Sequence, residues 1–182
     1  MNKRERITTF LLYGVFLCYV LLLLKILFLS RVSISQLMNG QRGIIRSINL
    51  VPFQSIMQFI SGSAEVKKFA FGNVIGNIVL FVPLGVYLPV FKKDKRILPS
   101  LLLVFLMSLL TEAIQGYFGI GAADIDDIIL NCLGGLIGIL IYKVFYLIIR
   151  DQKKVRSAIA ILSAVVGLPV LFYFMFIIKM RF

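Results

Sequence analysis

The chain has 182 residues, of which 60% are hydrophobic and 15% charged, and its mean hydropathy is +0.98. A soluble domain of this length is nearer half apolar and a quarter charged, so the excess of Leu, Ile, Val and Phe must face lipid. This composition excludes a cytosolic enzyme, a disordered protein and a secreted disulfide scaffold. The formal net charge of +12 is better explained by basic loops beside anionic lipid than by nucleic acid.

Histidine is absent from the chain, which excludes Ser-His, Cys-His and His-ligated metal chemistry. The two cysteines, Cys18 and Cys132, both lie in apolar runs. We therefore expect buried thiols that pack in the core rather than nucleophiles or metal ligands.

The first predicted element is a membrane-spanning helix over residues 7–29, which follows the basic head Lys3, Arg4 and Arg6. Together with its flanks, the apolar run reaches the length of about 20 residues that a helix needs to cross a bilayer. A signal peptide would have a shorter apolar core and small residues at a cleavage site. The Leu-rich end of this run offers no such site, so the helix is predicted to be uncleaved.

The next segment, 31–68, is the least apolar part of the chain and contains the apolar stretch 44–60. That stretch is too short and too interrupted to cross a membrane, which indicates a re-entrant or interfacial segment. Four further apolar runs follow. They predict transmembrane helices over about 69–91, 97–117, 128–149 and 158–178. The sequence thus predicts one all-α membrane domain over 1–182, with five transmembrane helices.

The basic residues predict the orientation in the membrane. Segments 1–6, 92–96 and 150–156 carry 11 of the 20 basic residues and fall on one side. Segments 31–68 and 179–182 carry 7 over a longer stretch and fall on the other. The higher density of positive charge marks the cytoplasmic side, so the N-terminus is predicted inside and the C-terminus outside.

In this orientation the polar residues of the spans, and the acids of a short turn at 119–126, fall in the outer half of the membrane. We expect them to line one polar pocket. The predicted pocket residues are Asn49, Asn73, Asn77, Glu112, Gln115, Asp124, Asp126, Asp127 and Asn131.

Spacing places several of these residues on defined helix faces. Asn73 and Asn77 are four residues apart and share a face. A second face carries Asp127, Asn131, Gly134 and Gly138. The GxxxG spacing of its glycines permits close helix contact, so the polar groups are predicted to lie where two helices pack.

Simpler interpretations remain open for single residues. Asn73 or Asn77 alone could only join helices by hydrogen bonds, and Asp124 or Asp126 alone could be a solvated turn residue. Glu112 is harder to explain in this way, because a carboxylate within a span costs about 2.5–3.5 kcal/mol on insertion scales.

The acids allow two further interpretations. Glu112, Asp124 and Asp127 are candidate oxygen ligands for a divalent cation such as Mg²⁺ or Ca²⁺, although their pattern is not that of a known loop. Pairing of the acids with Arg42 or Arg46 is slightly favoured, because it needs no partner from outside the chain. No cofactor is otherwise predicted. The Gly-rich turn 116–121 could admit a lipid head group or serve as a flexible connector.

Four motifs of the chain resemble those of the VanZ-like family and cover about residues 44–145. They are Asn49-Leu-Val-Pro-Phe53, Asn77-Ile-Val-Leu-Phe-Val-Pro-Leu-Gly85, Ser108-Leu-Leu-Thr-Glu112-Ala-Ile-Gln115 and Asp124-Ile-Asp-Asp-Ile-Ile-Leu-Asn131-Cys-Leu-Gly-Gly135. Each is short, but they occur in the family's order. Family members often have an arginine just before the acidic motif, where this chain has Gly121, Ala122 and Ala123.

The resemblance implies a multi-pass protein of the bacterial cell membrane that acts at the outer face on envelope or lipid-linked molecules. The family is associated with resistance to teicoplanin, a lipid-bearing glycopeptide. The first hypothesis is therefore a protein that binds an amphiphile, a lipid-linked cell-wall precursor or a lipoglycopeptide. The alternative is a membrane enzyme that acts on a lipid-linked phosphate with a carboxylate-bound cation. A transporter is disfavoured, because the inner halves of the helices lack matching polar residues.

Overall fold

The computed structural model describes residues 3–29, 48–92, 96–121 and 123–177. These residues form helices almost throughout, because long apolar runs satisfy every backbone hydrogen bond internally in the helical state. The helices are α1 (Lys3–Leu24), α2 (Gln54–Ser61), α3 (Ala64–Lys92), α4 (Ile97–Phe118), α5 (Ile125–Ile149), α6 (Gln152–Leu162) and α7 (Leu168–Ile177). Two π-helical segments, Lys25–Leu29 and Ser163–Gly167, extend α1 and join α6 to α7.

Five stretches of helix in the described ranges are long and apolar enough to cross a membrane. They are Lys3–Phe28, Ala64–Lys92, Ile97–Phe118, Ile125–Ile149 and Gln152–Phe174. The predicted all-α membrane fold with five transmembrane helices is therefore confirmed. The orientation with the N-terminus inside stays a prediction, which rests on the distribution of basic residues.

Several helices extend beyond the predicted spans because polar residues cap or begin them. The last membrane-spanning stretch starts with α6 at Gln152 rather than near residue 158. Asp151 accepts hydrogen bonds from the backbone N–H groups of Lys153 at 2.8 Å and Lys154 at 3.3 Å. A side chain that satisfies the first N–H groups allows a helix to begin among charged residues. The stretch 150–156 is thus mostly helix rather than loop.

By contacts, the chain divides into two compact units, and the first comprises residues 1–42 and 144–182. In its described part, α1 and α6 pack through buried apolar side chains, among them Leu12 and Val155. An exposed ion pair joins Lys153 Nζ to Glu5 Oε1 at 2.9 Å. The prediction of buried thiols is wrong for Cys18, which is exposed on α1, while Cys132 of the second unit is half-buried and both thiols are free.

The second unit, residues 43–143, contains α2, α3, α4 and most of α5. A Cβ added at Gly134 would collide with the carbonyl of Ile78, and one at Gly138 with the carbonyl of Val82. Both carbonyls belong to α3, so the backbones of α3 and α5 are in direct contact. The predicted close packing at the GxxxG face is confirmed.

Two short strands, β1 (Ile48–Asn49) and β2 (Ala123–Asp124), form a parallel pair in this unit. Ile48 lies opposite Ala123, and Asn49 lies opposite Asp124. The predicted turn at 119–126 is therefore shorter than expected, because Asp124 lies in β2 and Asp126 lies in the first turn of α5. The pairing holds the chain before α2 against the start of α5.

Candidate polar binding site

Asp124 connects the start of α5 to the segment 49–53. One carboxylate oxygen, Oδ1, accepts the backbone N–H of Asp126 at 2.9 Å and so caps the helix. The other, Oδ2, accepts the side-chain amide of Asn49 at 3.2 Å. Both oxygens are therefore used within the protein.

The segment 49–53 is held in a tight bend. The Asn49 side chain accepts the backbone N–H of Val51 at 3.2 Å, as asparagine commonly does at turns. Phe53 has a left-handed backbone with φ of 66°, which costs a non-glycine residue on the order of 1–2 kcal/mol. The backbone N–H of Phe53 donates to Asp126 Oδ1, and this bond stabilises the bend.

Asp127 accepts two side-chain amides from α3. Asn77 Nδ2 donates to Asp127 Oδ1 at 2.6 Å, and Asn73 Nδ2 donates to the same oxygen at 3.1 Å. Asp127 and Asn77 are each only 5% exposed. The predicted face of Asn73 and Asn77 therefore points at α5, and its amides solvate a carboxylate that has little access to water.

Glu112 contacts the acidic motif from α4. Its Oε2 accepts the backbone N–H of Asp124 at 2.9 Å, and the side chain is 5% exposed. A charge-assisted bond to a backbone N–H is stronger than one between neutral groups. Glu112 therefore faces protein rather than lipid and fixes the position of β2.

Asn131 lies one helical turn beyond Asp127 and makes a separate contact. Its amide donates to Ser108 Oγ on α4 at 2.9 Å, and both side chains are buried. Its oxygen, Oδ1, has no hydrogen-bond partner among the described residues. Gln115 is 1% exposed near the end of α4. Its backbone carbonyl accepts the backbone N–H of Ile120 at 3.0 Å, just after the left-handed Gly119.

Hydrogen bonds link most of the predicted site residues in two groups, one around Asp124 and one around Asp127. The two groups adjoin in the chain at Asp126 and Asp127 of α5, and together we call them the acid–amide cluster. It consists of Asn49, Asn73, Asn77, Glu112, Asp124, Asp126 and Asp127. Asn131 and Gln115 are buried on the same helices but share none of these bonds. The contact made by the backbone N–H of Phe53 was not predictable from the sequence, because no side-chain pattern marks a left-handed residue that is not glycine.

The two further interpretations of the acids fare differently. Within the described ranges, no three His, Cys, Asp or Glu residues are grouped closely enough to hold a metal ion. Glu112, Asp124 and Asp127 each accept N–H groups. The cation site stays a prediction, and we derive no step through a cation. The predicted pairing of the acids with Arg42 or Arg46 lies outside the described residues.

The fold and the cluster together define a multi-pass helical membrane protein with buried carboxylates and amides at the ends of three packed helices. Residues 16–146 match the family model VanZ/LLP1, so all four motifs lie inside the match. The chain is 34% identical over 123 residues to Protein VanZ of Enterococcus faecium, covering 68% of this chain and 67% of that protein. This chain therefore belongs to the VanZ-like family. No solved structure matches it significantly.

Proposed function

We propose that this VanZ-like protein resides in a bacterial cell membrane and binds an amphiphile at its outer leaflet through the acid–amide cluster. The ligand classes are a lipid-linked cell-wall precursor and a lipid-bearing glycopeptide such as teicoplanin. Binding or sequestering the latter would confer resistance. Its membership of the family supports this proposal, as does the chemistry of the cluster.

The observation that carries the proposal is the burial of Glu112 and Asp127 in one helical unit, each 5% exposed. Buried carboxylates are costly in a membrane protein, and such residues commonly mark a functional site. Packing alone does not need them, because apolar residues of similar volume fill a helix interface at lower cost.

The apolar surface beside the cluster supports an amphiphilic ligand. Leu50 is 70% exposed and Val51 62% exposed, and both adjoin Asn49 in the chain. Met57 and Ile60 of α2 are also exposed. A ligand with an acyl chain and a polar head could place the chain against these side chains and the head against the amide and carboxylates. Exposed apolar side chains on a short helix are typical of a segment that lies in the membrane interface.

The test is expression of the chain in a teicoplanin-susceptible Gram-positive host, with the minimum inhibitory concentration measured for teicoplanin and for a glycopeptide without the acyl chain. We expect a rise for teicoplanin alone, because the proposed site recognises an amphiphile. The Asp127→Asn variant keeps the shape and an acceptor oxygen for Asn77, so it should express well and lose the resistance.

The matched control is Asp151→Asn, which removes the same charge at the cap of α6, far along the chain from the cluster. It should leave resistance unchanged. Equal protection against both glycopeptides would contradict recognition of the acyl chain. Full resistance in a well-expressed Asp127→Asn variant would contradict a role for the cluster.

A further inference from the structure

The first unit contains an open cavity of about 450 Å³ between the start of α1 and α6. This volume is typical of a small-molecule site. Its lining includes the basic residues Lys3 and Arg4 and the apolar residues Ile7 and Ile161. Among the described residues that line it, none is acidic. The cavity lies outside the acid–amide cluster and plays no part in the proposed function.

The cavity combines the two chemistries of an anionic phospholipid. Ile7 is 53% exposed and Ile161 56% exposed, so an apolar wall faces outward, where acyl chains would lie. Lys3 and Arg4 provide two cationic groups for a phosphate, and Arg can bind it through two parallel N–H groups.

Two hydroxyl groups also line the cavity, one from Thr8 of α1 and one from Ser157 of α6. Thr8 Oγ1 and Ser157 Oγ are 3.5 Å apart, which is long for an O–H···O bond. Only one of the two hydroxyls donates in this contact, so the other keeps its O–H for another oxygen. Glu5 is the acidic residue next to Arg4 in the chain, and its carboxylate pairs with Lys153 Nζ at 2.9 Å.

We propose that this cavity binds the head group and upper acyl chain of an anionic phospholipid from the leaflet on the N-terminal side. Lys3 and Arg4 hold the phosphate, the hydroxyl of Thr8 or Ser157 that keeps its O–H donates to an ester or glycerol oxygen, and the isoleucines contact the chain. Charge complementarity selects this occupant over a zwitterionic lipid, because each basic group near a membrane surface contributes about 1 kcal/mol toward anionic lipid.

The experiment is native mass spectrometry of the purified full-length protein, mixed in detergent with dioleoylphosphatidylglycerol or dioleoylphosphatidylcholine. We expect one phosphatidylglycerol to be retained preferentially. The double variant Lys3→Gln, Arg4→Gln should weaken its retention about thirtyfold, as the loss of two surface cations implies. The control, Lys67→Gln with Lys68→Gln, removes the same charge from exposed positions on α3 and should retain the lipid.

A second variant tests the cavity itself. Ser157→Leu keeps the net charge and fills the space, so it should also lose the lipid. Retention by Ser157→Leu, or equal loss in the Lys67 and Lys68 control, would show adsorption to a charged surface and overturn the proposal. Equal retention of phosphatidylcholine, or displacement of the lipid by millimolar glycerol 3-phosphate, would overturn it as well, the latter by identifying a site for free phosphate.

Discussion

Each buried carboxylate of the acid–amide cluster receives at least one N–H group from a different part of the second unit. Asp127 receives side-chain amides, Glu112 a backbone N–H, and Asp126 the backbone N–H of Phe53. Such donors stabilise a carboxylate without a formal countercharge. The cluster therefore joins α3, α4, α5 and the segment 49–53 through carboxylate acceptors.

Glu112→Gln separates function from folding at the residue scale. The substituted side chain keeps an oxygen that can accept the N–H of Asp124, so the amount of folded protein in the membrane should stay near wild type. Resistance or ligand binding should be lost if the charge takes part. Fluorescence-detected gel filtration of a tagged protein measures the first, and the inhibitory concentration of teicoplanin measures the second.

The same variant tests the predicted ion pair with Arg42 or Arg46. Removing one partner of a buried pair strands the other charge, which typically costs 3–5 kcal/mol. A sharp fall in folded protein for Glu112→Gln, rescued by Arg46→Gln or Arg42→Gln in the same chain, would identify the pair. Full activity of the Glu112→Gln variant would show that the charge of the carboxylate has no role in the mechanism.

The two asparagines of α3 should differ in their effect on stability although they share one acceptor. Asn77→Ala should lower the melting temperature in detergent more than Asn73→Ala. Asn77 is 5% exposed and donates at 2.6 Å, whereas Asn73 is half-buried and donates at 3.1 Å. Loss of a partner for a buried group costs about 1–3 kcal/mol. Equal effects would argue that Asp127 is solvated by other groups.

The shared face of Asn73 and Asn77 was predictable from the sequence, whereas the links between the other polar residues were not. Helical spacing placed Asn73 and Asn77 on one face, and an acid within a span had to face protein. The link from Asn49 to Asp124 depends on a strand pair of two residues, which is too short to produce an alternating pattern. The bend at Phe53 has no signal in the sequence, because its tertiary bond to Asp126 supports the strained conformation.

Among the helices, α3 and α5 are distinguished by their direct backbone contact at glycine. Gly138→Ala should reduce the amount of folded protein strongly, because the added Cβ meets the carbonyl of Val82 and cannot move a flexible side chain aside. Gly76→Ala on α3 is the matched control, since nothing lies within 4 Å of its Cβ position. It should be neutral or slightly stabilising, because alanine favours a helix over glycine by about 1 kcal/mol.

The comparison is read from folded yield and melting temperature of the two alanine variants side by side. If the Gly138→Ala protein were as stable as wild type, α3 and α5 could move apart without a loss of stability. The GxxxG spacing predicted this interface from the sequence. The starts of α5 and α6 were predicted several residues late, because the apolar runs begin after the capping acids Asp124 and Asp151.

For the whole molecule, composition was sufficient to predict a membrane protein, and the lengths of the apolar runs were sufficient to predict five spans. Orientation depends on loops and is tested by single cysteines in a Cys18→Ser, Cys132→Ser background. Asp94→Cys should be protected from an impermeant maleimide in intact cells, and Ile120→Cys should react. Labelling of Asp94→Cys alone would reverse the orientation and place the acid–amide cluster on the cytoplasmic side.

The parallel pair of β1 and β2 also has a consequence for biogenesis. Asn49 and Asp124 are 75 residues apart, so the translocon must release two complete spans before the earlier residue can meet its partner. Closing so long a loop carries an entropic cost that grows only slowly with length, so the delay is set mainly by synthesis. During that interval the segment around Phe53 lacks the bond to Asp126 that holds it in its left-handed bend. The site is therefore assembled only after its last contributing helix has begun to enter the bilayer.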